Sequence, residues 1–118
     1  MQCKRLEEII RKSGFIIVDT YEDEKTCRVD FRHPYIKVEF PHAYYLSSVV
    51  LKKEDGSIRV TVRSKVKGFK ELYLDYCCEN ETLVCRPHVY MDEKILSVEA
   101  TFRERPLDKL RTLLSEMI

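Results

Sequence analysis

A chain of 118 residues has room for one domain and one core, and a composition 44% apolar and 35% charged marks it as globular rather than disordered. Its formal net charge of +1 argues against a dedicated nucleic-acid binder, which is usually basic as a whole. No apolar run nears the ~18 residues of a membrane span, and the N-terminus, MQCKRLEE, lacks an apolar signal core; the expected compartment is the cytoplasm.

Residues 2 to 13 read as a helix. Cys3, Leu6, Ile9 and Ile10 share one face, Glu7 and Arg11 sit at i,i+4, and Gly14 is the natural stop. Phe15 to Tyr21 is then a strand, and Glu22 to Lys25 a charged turn. Thr26 to Phe31 alternates, with Cys27, Val29 and Phe31 on one side, and Tyr35 to Phe40 is a third strand after a His33-Pro34 turn. Tyr44 to Tyr76 holds the strongest local signal: three alternating runs broken by Asp55-Gly56 and by Gly68. Two more strands reach Phe102. Pro106 suits a first helical turn, and Leu107, Leu110, Leu113, Leu114 and Met117 form one apolar helix face.

The fold class is α+β: an antiparallel meander of about eight strands, continuous or split three and five near Pro41, with an N-terminal and a C-terminal helix on its inner face. This order is similar to that of helix-grip ligand binders and secretion-chaperone-like folds, an analogy of architecture that carries no function.

Two-residue loops fix the expected registers. A loop at Asp23-Glu24 sets Val18 against Val29, Ile16 against Phe31 and Asp19 against Arg28. One at His33-Pro34 sets Val29 against Val38. One at Asp55-Gly56 pairs Leu51 with Val60 and Val49 with Val62, and one at Asp92-Glu93 sets Arg86 against Glu99. The outer face then carries a row Arg63, Asp75, Arg86, Glu99 that alternates in sign, while apolar residues meet inside.

Five cysteines, an odd number without framework spacing, are expected reduced and mostly buried. Disulfides would fit a hyperthermophile; one Asn (Asn80) and one Gln (Gln2) among many Lys, Arg and Glu form a thermophile signature. Cys77, Cys78, Cys85 and His88 are the nearest approach to a metal site. The registers point Cys78 and Cys85 inward but Cys77 and His88 outward, so the four do not converge, and small core cysteines are the plainer reading. The histidines each border a proline, no nucleophile or phosphate-loop motif occurs, and the acidic pairs fall in turn tips. No enzyme activity, cofactor or metal is expected.

Surfaces are more telling. Tyr44, Leu46, Tyr73, His88, Tyr90 and Ile95 gather at one end of the outer face, beside Lys65 and Lys67, where a solvent face should be polar. These residues, with Lys65, form the expected partner-binding patch; the partner is a second copy of the chain or another protein, and the leading function is a non-catalytic, homodimeric interaction module. The plainer reading is that tyrosine suits any sheet and that other elements fold over the patch. A first alternative is a small apolar ligand between sheet and helices, where Ser47, Ser64 and Pro87 leave an inward row small. Small residues there equally let a helix approach closely. A further alternative is the basic stretch from Lys52 to Lys70, with Lys52 opposite Arg59 as a like-charge pair that an anion would relieve. Acidic neighbouring strands answer most of that charge, so nucleic acid is not the expected partner.

Overall fold

The computed structural model describes residues 2–36, 45–64, 82–90 and 93–118. The described chain is α+β: helix α1 (Gln2–Lys12), strands β1 (Ile16–Glu22), β2 (Thr26–Arg32), β3 (Leu46–Lys52), β4 (Ile58–Ser64), β5 (Val84–Tyr90) and β6 (Glu93–Phe102), and helix α2 (Pro106–Glu116). The six strands form one sheet, ordered β1-β2-β3-β4-β6-β5 and antiparallel throughout.

Both helices bury their apolar stripes against one face of this sheet. Leu6, Ile9 and Ile10 of α1 and Leu110, Leu113 and Leu114 of α2 share a single cluster with Val29, Val49, Val60 and Val98. That face is the inner one. α1 ends as its sequence directs: Gly14 takes φ +96, the Gly14 N–H bonds the Arg11 carbonyl, and the Phe15 N–H bonds the Ile10 carbonyl. This is the Schellman arrangement, which needs a residue tolerant of positive φ. A Cβ on Gly14 would also stand 2.8 Å from Ile118 Cδ1.

The meander is not in simple chain order. β2 has β1 on one side and β3 on the other, so Val29 faces Val49 rather than Val38 and the sheet is not divided near Pro41. β4 pairs directly with β6. Apart from Tyr35 and Ile36, which lie in and after a turn, the expected strands at 35–40 and 71–78 fall outside the described residues.

Every testable hairpin register differs from expectation by two residues. Asp23 is not in the first turn but anchors it. Its Oδ1 accepts from the Lys25 N–H (2.8 Å), the Thr26 N–H (2.7 Å) and the Thr26 hydroxyl (3.0 Å), so Glu24 and Lys25 form the tip. Asp19 therefore faces Asp30, not Arg28. A bulge at Val18 then changes the phase of β1, which lies at the sheet edge. Ile16 and Val18, expected inside, are exposed, and Ile17 packs against the core instead. In the β3–β4 hairpin Gly56 (φ +71) closes a longer loop over 53–56 rather than a two-residue one; its N–H bonds the Lys52 carbonyl at 2.8 Å. Leu51 thus faces Ile58, and Val49 faces Val60. At the last hairpin Tyr90 faces Glu93, which sets Arg86 against Ser97 rather than Glu99.

The sign-alternating row is accordingly replaced. Arg63 and Arg86 both face Ser97, while Glu99 lies in the next row with Thr61 and Val84; Asp75 is outside the described residues. Like charges share a row: Arg28 with Arg59, then Asp30 with Glu99, then Arg63 with Arg86, in successive rows along the strands.

The cysteines also depart from expectation. Cys3 and Cys27 form a disulfide, Cα atoms 5.7 Å apart, that ties the first turn of α1 to β2. Cys85 is disulfide-bonded as well. Spacing does not signal the Cys3–Cys27 link, because the two sulfurs meet only through the packing of helix on sheet; the thermophile-like composition left room for a disulfide without saying where.

Candidate anion-binding cleft on the outer face

α1 and α2 cover the inner face and leave the outer one open. Its two ends differ. At the end holding Leu46 and Ile95, the chain covers itself: Ile36, Tyr45 and Ile95 form a second small core, with Ile95 0% exposed. A turn fixes this cover, in which His33 Nδ1 accepts the Tyr35 N–H at 3.1 Å and the Ile36 N–H bonds the His33 carbonyl.

Of the expected partner patch, Leu46 is half-buried at the start of β3, and its carbonyl accepts from the Arg63 guanidinium at 2.6 Å. His88 faces Ile95 across the β5–β6 ladder and Tyr90 faces Glu93, so the backbone does bring Leu46, His88 and Ile95 to one end. Ile95 is a correction: Ile36 and Tyr45 pack on it and it is fully buried within the chain, out of a partner's reach. Tyr44, Lys65 and Tyr73 lie outside the described residues.

The opposite end carries an open cleft of about 750 Å³, lined by Lys52, Arg59 and Arg103 around Ser57, Val50 and Val84, with Thr82, Thr101, Ala100 and Glu99 completing it. The two expected anion-binding residues, Lys52 and Arg59, both line it, though not as a facing pair. Arg59 faces Val50 and Thr101, whereas Lys52 stands at the end of β3. Extending the ladders places Lys52, Ser57 and Arg103 in the next row. Lys52 and Arg103 are thus two strands apart, about 10 Å, with Arg59 between them and one row inward. Arg103, just beyond β6, is the residue that sequence reading missed; its place depends on β4 and β6 being neighbours.

The electrostatics agree with this placement. The Asp55 carboxyl is held below its usual range first by the Ser57 hydroxyl and amide, and further by the positive charges of Lys52 and Arg103. Among the described residues Lys52, Arg59 and Arg103 make no ion pair within salt-bridge distance; the pairs formed are Glu7–Arg11, Arg28–Asp30 and Glu22–Lys53. One carboxylate, Glu99, lines the cleft. It acts on half-buried Arg63, whose guanidinium is pushed down by burial and supported by that charge.

The other candidate chemistry is thinner. Cys3, Glu22 and Cys27 bring three metal-ligating atoms within 4.8 Å of one another. Both sulfurs are joined in the disulfide and Glu22 is paired with Lys53 at 2.7 Å, so this cluster is a staple beside an ion pair. Of the expected metal group, Cys85 is disulfide-bonded, and Cys77 and Cys78 lie outside the described residues. Within the small-residue row of the inner face, the Ser64 hydroxyl donates to the Met117 carbonyl, and Met117 itself is fully buried. A small side chain at this position lets the end of α2 come down onto the sheet.

No helix among the described residues is long and apolar enough to cross a membrane. No protein-family model, no curated protein and no solved structure matches the chain.

Proposed function

We propose that the chain is a non-catalytic binding module whose working surface is the outer face of the sheet, and that the cleft of Lys52, Arg59 and Arg103 receives an anionic group. The observation that carries this reading is the convergence of three cations in one cleft without salt-bridge partners among the described residues. Placing cations side by side costs free energy that a bound anion recovers. Ser57 and Thr101 supply hydroxyls at the same place.

The test is a titration of isotopically labelled protein with inorganic pyrophosphate, read by amide chemical shifts. Saturable shifts at Lys52, Arg59, Thr101 and Arg103 at millimolar ligand are expected. Shifts absent there, or spread evenly over every basic residue of the surface, refute the reading.

A second reading is self-association at the opposite end of the sheet. It is favoured by two large side chains that remain in solvent there, Tyr35 (65% exposed) and Val89 (68% exposed), on or beside the elements that carry Leu46, His88 and Tyr90. Among the described strands β5 is the last in the sheet, and apolar side chains on such a strand invite pairing with another chain. Sedimentation velocity is expected to show a dimer that Val89→Glu dissociates, and a wild-type monomer at high concentration removes this reading.

A further inference from the structure

We infer that the reduced chain binds one zinc ion through Cys3, Cys27 and Glu22, and that the Cys3–Cys27 disulfide is the closed, metal-free state of the same site. The inference is independent of the anion-binding cleft, whose residues it does not use.

Three elements meet there. Cys3 lies in the first turn of α1 and Cys27 on β2. Glu22 stands directly opposite Cys27 on the β1–β2 ladder, so the two share one side of the sheet. One ligating atom of each residue lies within 4.8 Å of the other two. Ligands of a tetrahedral zinc stand about 3.5–3.8 Å apart. Glu22 is exposed on the edge strand and closes that gap by a change of rotamer. The Cα atoms of Cys3 and Cys27, 5.7 Å apart, already direct both sulfurs to one point. Thiolates disfavour magnesium and calcium, and zinc accepts a carboxylate oxygen beside them.

Charge carries the argument further. Two thiolates and a carboxylate exceed the charge of a zinc ion by one. Lys53 Nζ, 2.7 Å from Glu22 Oε2, cancels that excess and leaves Oε1 for the ion. Such a hydrogen-bond donor behind a ligating carboxylate orients it toward the metal. The N-terminal end of α1 favours the anionic form of the Cys3 sulfur. Cys27 is fully buried and Cys3 half-buried, so a reductant and the ion both enter from the Cys3 side. The two states interconvert by a balanced exchange. A dithiol reductant gives two electrons and two protons to the disulfide and itself becomes an intramolecular disulfide. The two thiols then release both protons as two Zn–S bonds and one Zn–O bond form, with water in the fourth position.

A chain carrying Cys77→Ser, Cys78→Ser and Cys85→Ser keeps Cys3 and Cys27 as its only cysteines. Reduced with a water-soluble phosphine and titrated with zinc against a chromophoric chelator, it should bind one equivalent; oxidised, it should bind none. Zinc should raise the thermal midpoint of the reduced chain and leave that of the oxidised chain unchanged. Adding Glu22→Gln should weaken binding about tenfold or more, and adding Cys27→Ser should abolish it. Absence of binding by the reduced chain overturns the inference. So does equal binding by the oxidised chain, which makes the sulfurs irrelevant, and so does an affinity that Glu22→Gln leaves unchanged, which reduces the site to an ordinary dithiol. Should the triple variant not fold, isotopically labelled wild type decides. Once it is reduced, zinc should shift the amides of Cys3, Glu22 and Cys27, and shifts confined to the neighbourhood of Cys85 overturn the assignment.

Discussion

The two faces of the sheet respond differently to the same error of register. In β3 and β4 a shift of two residues leaves the inward side chains inward, so valine still meets valine: Val49 faces Val60 where Val62 was expected; in β1 it is the bulge at Val18, not the shift of two, that leaves Ile16 and Val18 exposed. On the outer face the same shift exchanges partners. Asp19 turns from an expected Arg28 to Asp30, and Arg86 from an expected Glu99 to Ser97. Apolar contact is non-directional and indifferent to which apolar neighbour supplies it, whereas charge pairing depends on sign and neighbour. The inner face is therefore robust and carries stability. The outer face is arranged by turn geometry and carries whatever specificity the chain has.

The largest expected effect lies on the inner face. Phe31 is fully buried and meets Phe15 edge to face, ring centroids 5.2 Å apart. Phe31→Ala should cost about 3–5 kcal/mol in a denaturant titration. A cost near zero would mean that the core is not built around this residue, and the contrast between the faces would fail. Next comes the staple. The Cys3–Cys27 disulfide closes a separation of 24 residues, for which chain entropy gives about 3 kcal/mol. Cys3→Ser should lower stability by that amount, and a reducing agent should lower wild type by that much more than the variant, which keeps only the disulfide of Cys85 to lose. Indifference to both would show that the link contributes nothing to the folded state.

These effects mark how much was legible beforehand. Helix limits, the Gly14 stop and the division of each central strand into two sides follow from period and turn residues, and they hold for α1, α2, β2, β3, β4 and β6. The pairing of β4 with β6 was not legible, because any apolar strand can follow any other once both bury the same side. Lys52 and Arg59 were visible as cations in search of a counter-charge. Arg103 was not, since it belongs to the site only through that unforeseen pairing. Ile95 was misread because the chain's own Ile36 and Tyr45 cover it, a long-range event that alternation does not encode.

A smaller effect sits where the two faces are joined, at the return from β2. His33 is fully buried. Its Nδ1 accepts the Tyr35 N–H, so the proton is on Nε2, which faces the Met117 carbonyl without closing a hydrogen bond of normal geometry. Burial lowers the affinity of this imidazole for a second proton, and the Met117 carbonyl offsets only part of that. The unfolded chain, with an ordinary value near 6.5, then takes up protons that the folded chain refuses. Stability contributed by neutral His33 should be complete above pH 6.5 and decline as the pH falls below it. Thermal midpoints measured from pH 7.5 downward should show that decline in wild type and a flatter profile in His33→Gln; parallel profiles would refute the assignment.

The smallest effect is the most discriminating, because its sign alone separates the two registers. If Asp19 faced Arg28, Asp19→Asn would remove an attraction and destabilise. In the observed ladder Asp19 faces Asp30, a like-charge pair, and Arg28 lies instead beside Asp30, Nε to Oδ1 3.5 Å. Removing the charge at 19 should therefore stabilise by about 0.2–1 kcal/mol, the range for cross-strand pairs. Asparagine keeps an oxygen where Asp19 Oδ1 accepts the Thr20 N–H, so the local backbone bond survives the change. Because both carboxylates are at least partly in solvent, added salt should shrink the gain toward zero. A loss of stability that salt likewise diminishes would restore the pairing with Arg28, and with it the sign-alternating outer face that the structure replaces by rows of like charge.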